Sequence, residues 1–285
     1  VKFFFKKLLP SIFSSGVTQI NILVGTIIAS FQASAVSYLY YADRIYQINL
    51  AIAGIAIGIV ILPNLSKYVK VKNYSKINLI QNKSFELSFF LSLPAAICLL
   101  IGSKEITSAL FGYGSFDEQS VNNSAIALFY FSIGLPAFSM IKIFSSFLFA
   151  RHNTKTPFYF SLVSVIINVS ISLSLFNKVG FIIIPIATSI SSWVNAIILF
   201  VYIYNKKYFS FRAGAFLLYL RMLLSSILSS IIFFNLIKFF NNYLVYESDY
   251  KLLFVIILVL LTFVIYILIS MITKAFNKSD IKLKY

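Results

Sequence analysis

The chain has 285 residues, 60% of them apolar, with 24 basic and 8 acidic side chains and a net charge of +16. Soluble domains average about 45–50% apolar and about 25% charged residues, whereas here the charged share is 11% and the mean hydropathy +0.91, so a water-soluble globule is excluded. The bases are spread between apolar runs instead of gathered on one globular face, which predicts a membrane surface and not nucleic acid as the partner.

Crossing about 30 Å of hydrocarbon takes about 20 mostly apolar residues in a helix, so charges mark the ends of spans. The first uncharged stretch, 8–42, is too long for one span and is divided by the polar segment Gln32 to Ser34. Further uncharged runs lie at 45–66, 87–103, 119–141, 156–177, 179–205, 222–237 and 252–273. The pattern predicts an all-α polytopic membrane helix bundle of eight transmembrane helices, at 9–31, 35–62, 84–103, 120–149, 157–177, 180–204, 215–238 and 251–273.

Lys and Arg are retained on the cytoplasmic side of a membrane, and the connecting segments alternate accordingly. One side carries 18 bases, in the groups Lys2 to Lys7, Lys67 to Lys83, Arg151 with Lys155, Lys206 to Arg221 and Lys274 to Lys284. The other carries only Lys104, Lys178, Lys238 and Lys251, set against Glu105, Asp117, Glu118, Glu247 and Asp249. Both termini are therefore expected in the cytoplasm. The N-terminal Lys-rich stretch lacks a small-residue cleavage site and reads as the edge of a true first helix. Because the chain begins with Val, it is expected to be the C-terminal part of something longer.

A charge at the bilayer centre costs on the order of 3 kcal/mol, so one kept within a span is by default a functional-site hypothesis. The second predicted helix carries Asp43 and Arg44 in Tyr40-Tyr41-Ala42-Asp43-Arg44-Ile45-Tyr46-Gln47, and the fourth carries Lys142. Neighbouring residues on a helix point about 100° apart, so Asp43 and Arg44 do not simply neutralise each other. Gln47, at i+4 from Asp43 and i+3 from Arg44, can reach both. The rival reading of the pair is a structural ion pair or capping cluster near the outer interface, with Arg44 snorkelling; for Lys142 it is snorkelling to the inner interface.

Gln19 and Asn21 in the first helix, Asn168 in the fifth, and Thr188 and Asn195 in the sixth add polarity. Each alone reads as interhelical glue worth about 0.6 kcal/mol; together they let helices one to six line a hydrated cavity. Gly54 and Gly58 read as packing. The last two helices differ, the seventh offering only the ridge Ser225, Ser226, Ser229 and Ser230 and the eighth being almost wholly apolar, as befits a peripheral, lipid-facing pair. The expected division is 1–210 for a six-helix lobe and 211–285 for that pair with a basic cytoplasmic tail.

An enzyme is not expected. The cytoplasmic side offers only Glu86 and Asp280, and GxxxxGK[ST], HExxH and paired Asp are absent. With a single cysteine, Cys98, and a single histidine, His152, neither a disulfide framework nor a structural zinc site is possible, and no metal or cofactor is implied. What remains is cations inside a helical bundle, which suits an anionic group, above all phosphate.

Several strings together resemble the MurJ/MviN lipid II flippases of the multidrug/oligosaccharidyl-lipid/polysaccharide exporter superfamily. They are Val17-Thr18-Gln19-Ile20-Asn21, Ser37-Tyr38-Leu39-Tyr40-Tyr41-Ala42-Asp43-Arg44, Gly54-Ile55-Ala56, Leu62-Pro63-Asn64-Leu65-Ser66, Leu110 to Phe116, Phe149-Ala150-Arg151-His152-Asn153-Thr154-Lys155-Thr156-Pro157, and Ala187-Thr188-Ser189-Ile190. The resemblance spans roughly 1–210. It implies a fourteen-helix protein of two six-helix lobes plus a final pair, of which this chain looks like helices seven to fourteen, with the first lobe missing. It implies as cargo lipid II, an undecaprenyl diphosphate bearing a disaccharide-peptide, moved from the cytoplasmic to the periplasmic leaflet of the bacterial inner membrane for peptidoglycan synthesis.

By the same resemblance Arg44 is a cavity cation for the diphosphate, Lys142 matches a basic position, and the final pair forms the lipid-tail groove. The substrate-binding expectation is Arg44, Lys142, Asp43, Gln47, Gln19 and Asn21. This chain departs from the family pattern at Gly25, where an Asp is usual, and at Ser172, Gln47 and Tyr113, so the resemblance does not carry over a sodium site built on those carboxylates. The alternatives are another exporter of the superfamily, for O-antigen or teichoic-acid lipids or drugs, and a non-transporting degenerate fragment or scaffold.

Overall fold

The computed structural model describes residues 19–276. Lys2, Lys6, Lys7, Lys278, Lys282, Lys284 and the Val17-Thr18 pair lie outside the described residues. All regular elements among the described residues are helical. In chain order they are α1 (Gln19–Ala29), α2 (Ala35–Leu50) running through a π-helical segment (Ala51–Ala56) into α3 (Ile57–Lys70), α4 (Tyr74–Ile101), α5 (Ser103–Phe111), α6 (Glu118–Phe149), α7 (Lys155–Val179), α8 (Ile183–Asn205), α9 (Ala215–Phe239), α10 (Asn241–Leu244) and α11 (Lys251–Ile272).

Among the described residues six stretches are long and apolar enough to cross a membrane: Ala35–Lys70, Tyr74–Ile101, Glu118–Phe149, Lys155–Asn205, Ala215–Phe239 and Lys251–Ile272. The fourth of these is a hairpin. Ser164 Oγ donates to the Ser191 carbonyl at 2.9 Å, and Asn168 Nδ2 reaches Thr188 Oγ1 at 2.9 Å and Ser191 Oγ at 3.4 Å, so α7 and α8 run antiparallel.

Helix ends differ from the expectation where charges were used to place them. The second predicted helix continues through Pro63 to Lys70, and the third begins at Tyr74. Lys67, Lys70, Lys76 and Lys83 therefore sit on helix, not in loop. Charge marks where hydrocarbon ends, whereas a helix continues until its backbone finds a cap. Asn73 supplies one, its Oδ1 accepting the Lys76 amide at 3.1 Å, and Asp117 does the same for α6 through the Ser120 amide at 2.8 Å. The polar divider Gln32 does more than break a span, since its Oε1 accepts the Phe181 amide at 2.8 Å and ties the α1–α2 turn to the α7–α8 turn.

Helix α6 is the axis of the bundle, buried along most of its length against α2, α4 and α8. At Gly134 it meets α8 so closely that a Cβ there would lie 2.9 Å from Ser189 Oγ and 3.2 Å from the Ser189 backbone. One end of the bundle packs around Tyr46, Leu128, Phe131 and Ile184, the other around Phe85, Phe144, Phe147 and Phe209. Lipid tails are as apolar as these side chains, so fit and dispersion rather than water exclusion hold them. All four serines of the α9 ridge are buried, with α9 lying against α4 and α11.

Two breaks in the helical hydrogen-bond ladder are met by a donor from a neighbouring helix, and α8 adds two bonds of the same kind beside a third. Ser88 Oγ on α4 donates to the Ala53 carbonyl in the π-helical segment at 2.7 Å. Pro94 has no N–H to give the Phe90 carbonyl, and Tyr266 on α11 supplies its hydroxyl at 2.8 Å. Pro136 in α6 likewise has no N–H to give the Ser132 carbonyl, and beside that break Ser189 Oγ and Trp193 Nε1 on α8 donate to the Tyr130 and Ile133 carbonyls at 2.5 and 3.0 Å. Tyr266→Phe removes the donor to Phe90, together with the hydroxyl's contacts to Ser226 and Ser270. It is expected to cost about 1 kcal/mol, read as a lower unfolding midpoint in detergent micelles, whereas the same change at exposed Tyr250 leaves the midpoint in place.

Candidate functional site

The polar turn of α2 is built by its apolar face. Ala42, Ile45 and Tyr46 are buried against the bundle, which turns Arg44 outward and leaves Asp43 and Gln47 half-buried. Gln47 Nε2 donates to Asp43 Oδ2. Arg44 lies instead over the Tyr40 ring, its Cζ 4.6 Å from the centroid, a cation–π contact that holds a guanidinium without neutralising it. The ion pairs among the described residues are Lys104–Glu118 and Arg212–Glu86, so Asp43 and Arg44 are not joined. Of the two contacts the spacing allows Gln47, the structure makes only the one to Asp43.

Lys142 sits half-buried on α6. A Cβ at Gly54 would lie 3.5 Å from Lys142 Cγ and 3.1 Å from Ser139 Cα, and one at Gly58 would lie 3.0 Å from Ser146 Oγ and 3.6 Å from the Lys142 carbonyl. The glycine pair is therefore the seat on which α6 presents Lys142, against the π-helical segment that Ser88 repairs. Single π-helical turns recur at functional sites because the extra residue re-aims the side chains beyond it. Arg44 and Gly54 are ten residues apart in sequence, roughly 15 Å along a helix, so the two cations form separate stations.

The remaining expected residues divide. Gln19 is exposed on α1 and Asn21 is half-buried with its Oδ1 unpartnered; no hydrogen bond among the described residues joins either to Arg44. Asn168 and Thr188 are spent on the α7–α8 hairpin, which is the packing role. Neither Arg44 nor Lys142 lines either of the two best-formed cavities among the described residues. One, of about 570 Å³, lies beside Ile232, Asn235, Leu236, Lys238 and Phe239 on α9, and the other, of about 610 Å³, between the first turn of α2 and the 110–120 segment. Arg44 is exposed on α2. Among the described residues no cluster of His, Cys, Asp or Glu could hold a metal ion.

Two charged residues do more than the sequence suggested. Lys251, expected as a loop cation, is 2% exposed. Its ammonium donates to the Gly112 and Tyr246 carbonyls at 2.6 and 2.5 Å between the rings of Tyr113 and Tyr246. Arg212 pairs with Glu86 at 2.8 Å while its amide donates to Asn82 Oδ1 at 3.1 Å, clamping the 206–214 segment to α4. The signal for the first was a lysine opening a 22-residue apolar helix with tyrosines five residues before it and in the 110–116 segment.

Over residues 1–256 the chain matches the family model described as lipid II flippase MurJ. It is 43% identical over 192 residues to a probable lipid II flippase MurJ of Rhizobium meliloti (strain 1021), a match covering 67% of this chain and 36% of that relative. With the probable lipid II flippase MurJ of Rickettsia prowazekii (strain Madrid E) it shares 37% over 252 residues, 87% of this chain and 49% of the relative. The chain thus spans half or less of the length of these relatives. Its fold is similar to a solved lipid II flippase MurJ in an inward closed conformation, with a TM-score of 0.76 at 24% identity over 93% of this chain and 52% of that one. It is similar also to an outward-facing multidrug resistance MATE family transporter of the MOP superfamily, with a TM-score of 0.58 at 14% identity over 82% of this chain and 53% of that one.

Gln47→Leu removes the amide that occupies Asp43 and frees its carboxylate to turn to Arg44. Affinity for a diphosphate-headed amphiphile is expected to fall about fivefold, the worth of an ion pair of ~1 kcal/mol, with formal charge unchanged; titration calorimetry on the chain in nanodiscs reads the difference.

Proposed function

The chain belongs to the lipid II flippase MurJ family, and from that premise we propose that it is the second, cation-bearing half of a lipid II flippase, working with a six-helix first lobe that this chain does not contain. It crosses the bacterial inner membrane eight times, as α1, α2–α3, α4, α6, α7, α8, α9 and α11, with both termini in the cytoplasm. Residues 1–210 form the second lobe and 211–285 the peripheral pair. The turns at Lys72, His152, Lys207 and Lys274, all within the base-rich segments, support this orientation through the positive-inside rule.

The observation that carries the reading is the freed guanidinium of Arg44. The acid next to it in sequence is held by Gln47, so a full positive charge is left on an open face of a membrane helix. Such a charge is retained where an anion is to be met, and arginine matches phosphate oxygens in a fork. In the proposed cycle the two lobes rock about a central cavity, Arg44 and Lys142 hold the diphosphate in turn with Asp43, Gln47, Gln19 and Asn21 around it, and the acyl chain stays in lipid beside α9 and α11. Exposed Leu253, Ile256, Leu260 and Val264 give that pair the apolar face a prenyl tail requires. No bond of the substrate is made or broken, and no cofactor is used. With the inside negative, each negative charge moved outward gains about 2.3 kcal/mol per 100 mV, which favours export without a nucleotide.

The test is rescue of a flippase-depleted bacterium by this chain together with a six-helix first lobe. Arg44→Ala, at unchanged membrane abundance, should slow lipid II export at least tenfold, about what losing one charge-assisted contact of ~1.5–3 kcal/mol predicts. Lys142→Ala should slow it less. Full export by Arg44→Ala overturns the mechanism; rescue only when O-antigen or teichoic-acid lipids are offered assigns the chain to another branch of the superfamily.

A further inference from the structure

The cavity of about 610 Å³ at the start of α2 is lined by neither Arg44 nor Lys142. Its walls are aromatic, with Tyr38 and Tyr41 from α2 facing Phe111, Tyr113 and Phe116. Tyr41 packs against Phe111 and Phe116, each ring centre 4.7 Å away. Hydroxyls from Ser34, Ser37 and Ser115 rim it, and no charged side chain lines it. Among the described residues no hydrogen bond is made by the side-chain hydroxyls of Tyr38, Tyr41, Ser37 or Ser115.

The far wall is held rigidly from outside. Lys251 fastens the Gly112 carbonyl and Tyr246 Oη donates to the Phe116 carbonyl at 2.9 Å. Gly112 is tight enough that a Cβ would meet the Ser108 carbonyl at 2.7 Å. A wall fixed by a 2%-exposed lysine from a helix 139 residues away is preorganised, which lowers the ordering cost of binding.

We propose that this cleft is a saccharide subsite. A sugar ring lays its C–H face on an aromatic ring while its hydroxyls need donors and acceptors that carry no net charge. Aromatic walls with unpaired, uncharged hydroxyls in a cavity within the roughly 300–1,000 Å³ of ligand sites meet both needs. The position is also specific. Tyr41 and Arg44 are three residues apart on α2, one turn, and Arg44 rests on Tyr40, which itself contacts Tyr41 at 5.6 Å. A diphosphate on Arg44 therefore has its attached sugar beside the cleft. The proposal rests on the flippase reading for its orientation, which puts the cleft on the outer face, where it receives the sugar as the headgroup emerges.

The test uses the whole chain in nanodiscs and three probes: a polyprenyl diphosphate carrying a disaccharide, the same lipid without sugar, and free diacetylchitobiose. The parent chain is expected to prefer the sugar-bearing lipid about tenfold, the discrimination a few well-placed polar and stacking contacts supply. Tyr41→Ala and Ser37→Trp should bring that ratio to about one. Ser37→Trp fills the cleft from an exposed position and removes no packing, so it decides the matter even where Tyr41→Ala fails to fold. Binding of free disaccharide that Ser37→Trp abolishes extends the subsite to unattached glycan; no free-sugar binding beside an intact tenfold ratio restricts it to the lipid headgroup. Equal affinity of the parent chain for both lipids, or a ratio that survives Ser37→Trp, overturns the subsite. Arg44→Ala weakens both lipids if the flippase reading holds, and leaving both unchanged would sink that reading while the ratio still reports on the cleft.

Discussion

Backbone hydrogen bonds that have no water to fall back on govern this structure. Inside hydrocarbon an unmade bond costs several kcal/mol, so a helix is opened at least cost where another helix carries the missing donor. The π-helical segment at Ala51–Ala56 depends on Ser88 and the Pro94 break on Tyr266, while Ser189 and Trp193 bond to α6 beside the Pro136 break. Each of these bonds crosses from one helix to the next. The same bonds that satisfy carbonyls therefore link α11 to α4, α4 to the α2–α3 helix, and α8 to α6. The peripheral pair is fastened to the helix that holds open the seat of Lys142, and neither can shift without exposing a carbonyl.

The same accounting separates structural charges from available ones. Lys251 has two carbonyls and two aromatic faces, and Arg212 has Glu86; both are consumed in fixing segments. Arg44 rests on the Tyr40 ring with Asp43 near enough to be felt but not paired, and neither Arg44 nor Lys142 makes an ion pair among the described residues. Asp43 would consume Arg44 if it turned, and the amide of Gln47 prevents it. An amide that carries no charge thus decides whether a neighbouring cation is free.

Charge placement made the spans legible, because hydrocarbon tolerates few ions and the polar interruptions fall where the chain leaves it. Arg44, Asp43 and Lys142 stood out for the same reason, and Gly54 and Gly58 were read correctly as packing, though not as packing for Lys142. Three features were hidden. Helix extent beyond the hydrocarbon, as at Lys67 to Lys70 and Tyr74 to Lys83, depends on caps such as Asn73 and carries no hydropathy signal. The burial of Lys251 depends on tyrosines and a glycine carbonyl 139 residues away in sequence, which periodicity cannot register. The aromatic cleft joins residues 34–41 to 110–120; each half alone reads as an ordinary interfacial tyrosine cluster.

In the proposed flippase a site must also release its cargo, and this limits how strong it can be. A buried cluster of guanidiniums would hold a diphosphate far more tightly in a low-dielectric interior than at a hydrated face and would turn over slowly. On the proposed reading, one stacked arginine on α2 and one lysine on α6, beside Gly54 about 15 Å further along the α2–α3 helix, would give two modest anion contacts instead of a deep one. Spreading the attraction along α2 and α6 leaves the gain at each step comparable to the roughly 2.3 kcal/mol that 100 mV contributes per charge, so the membrane potential is large enough to bias release.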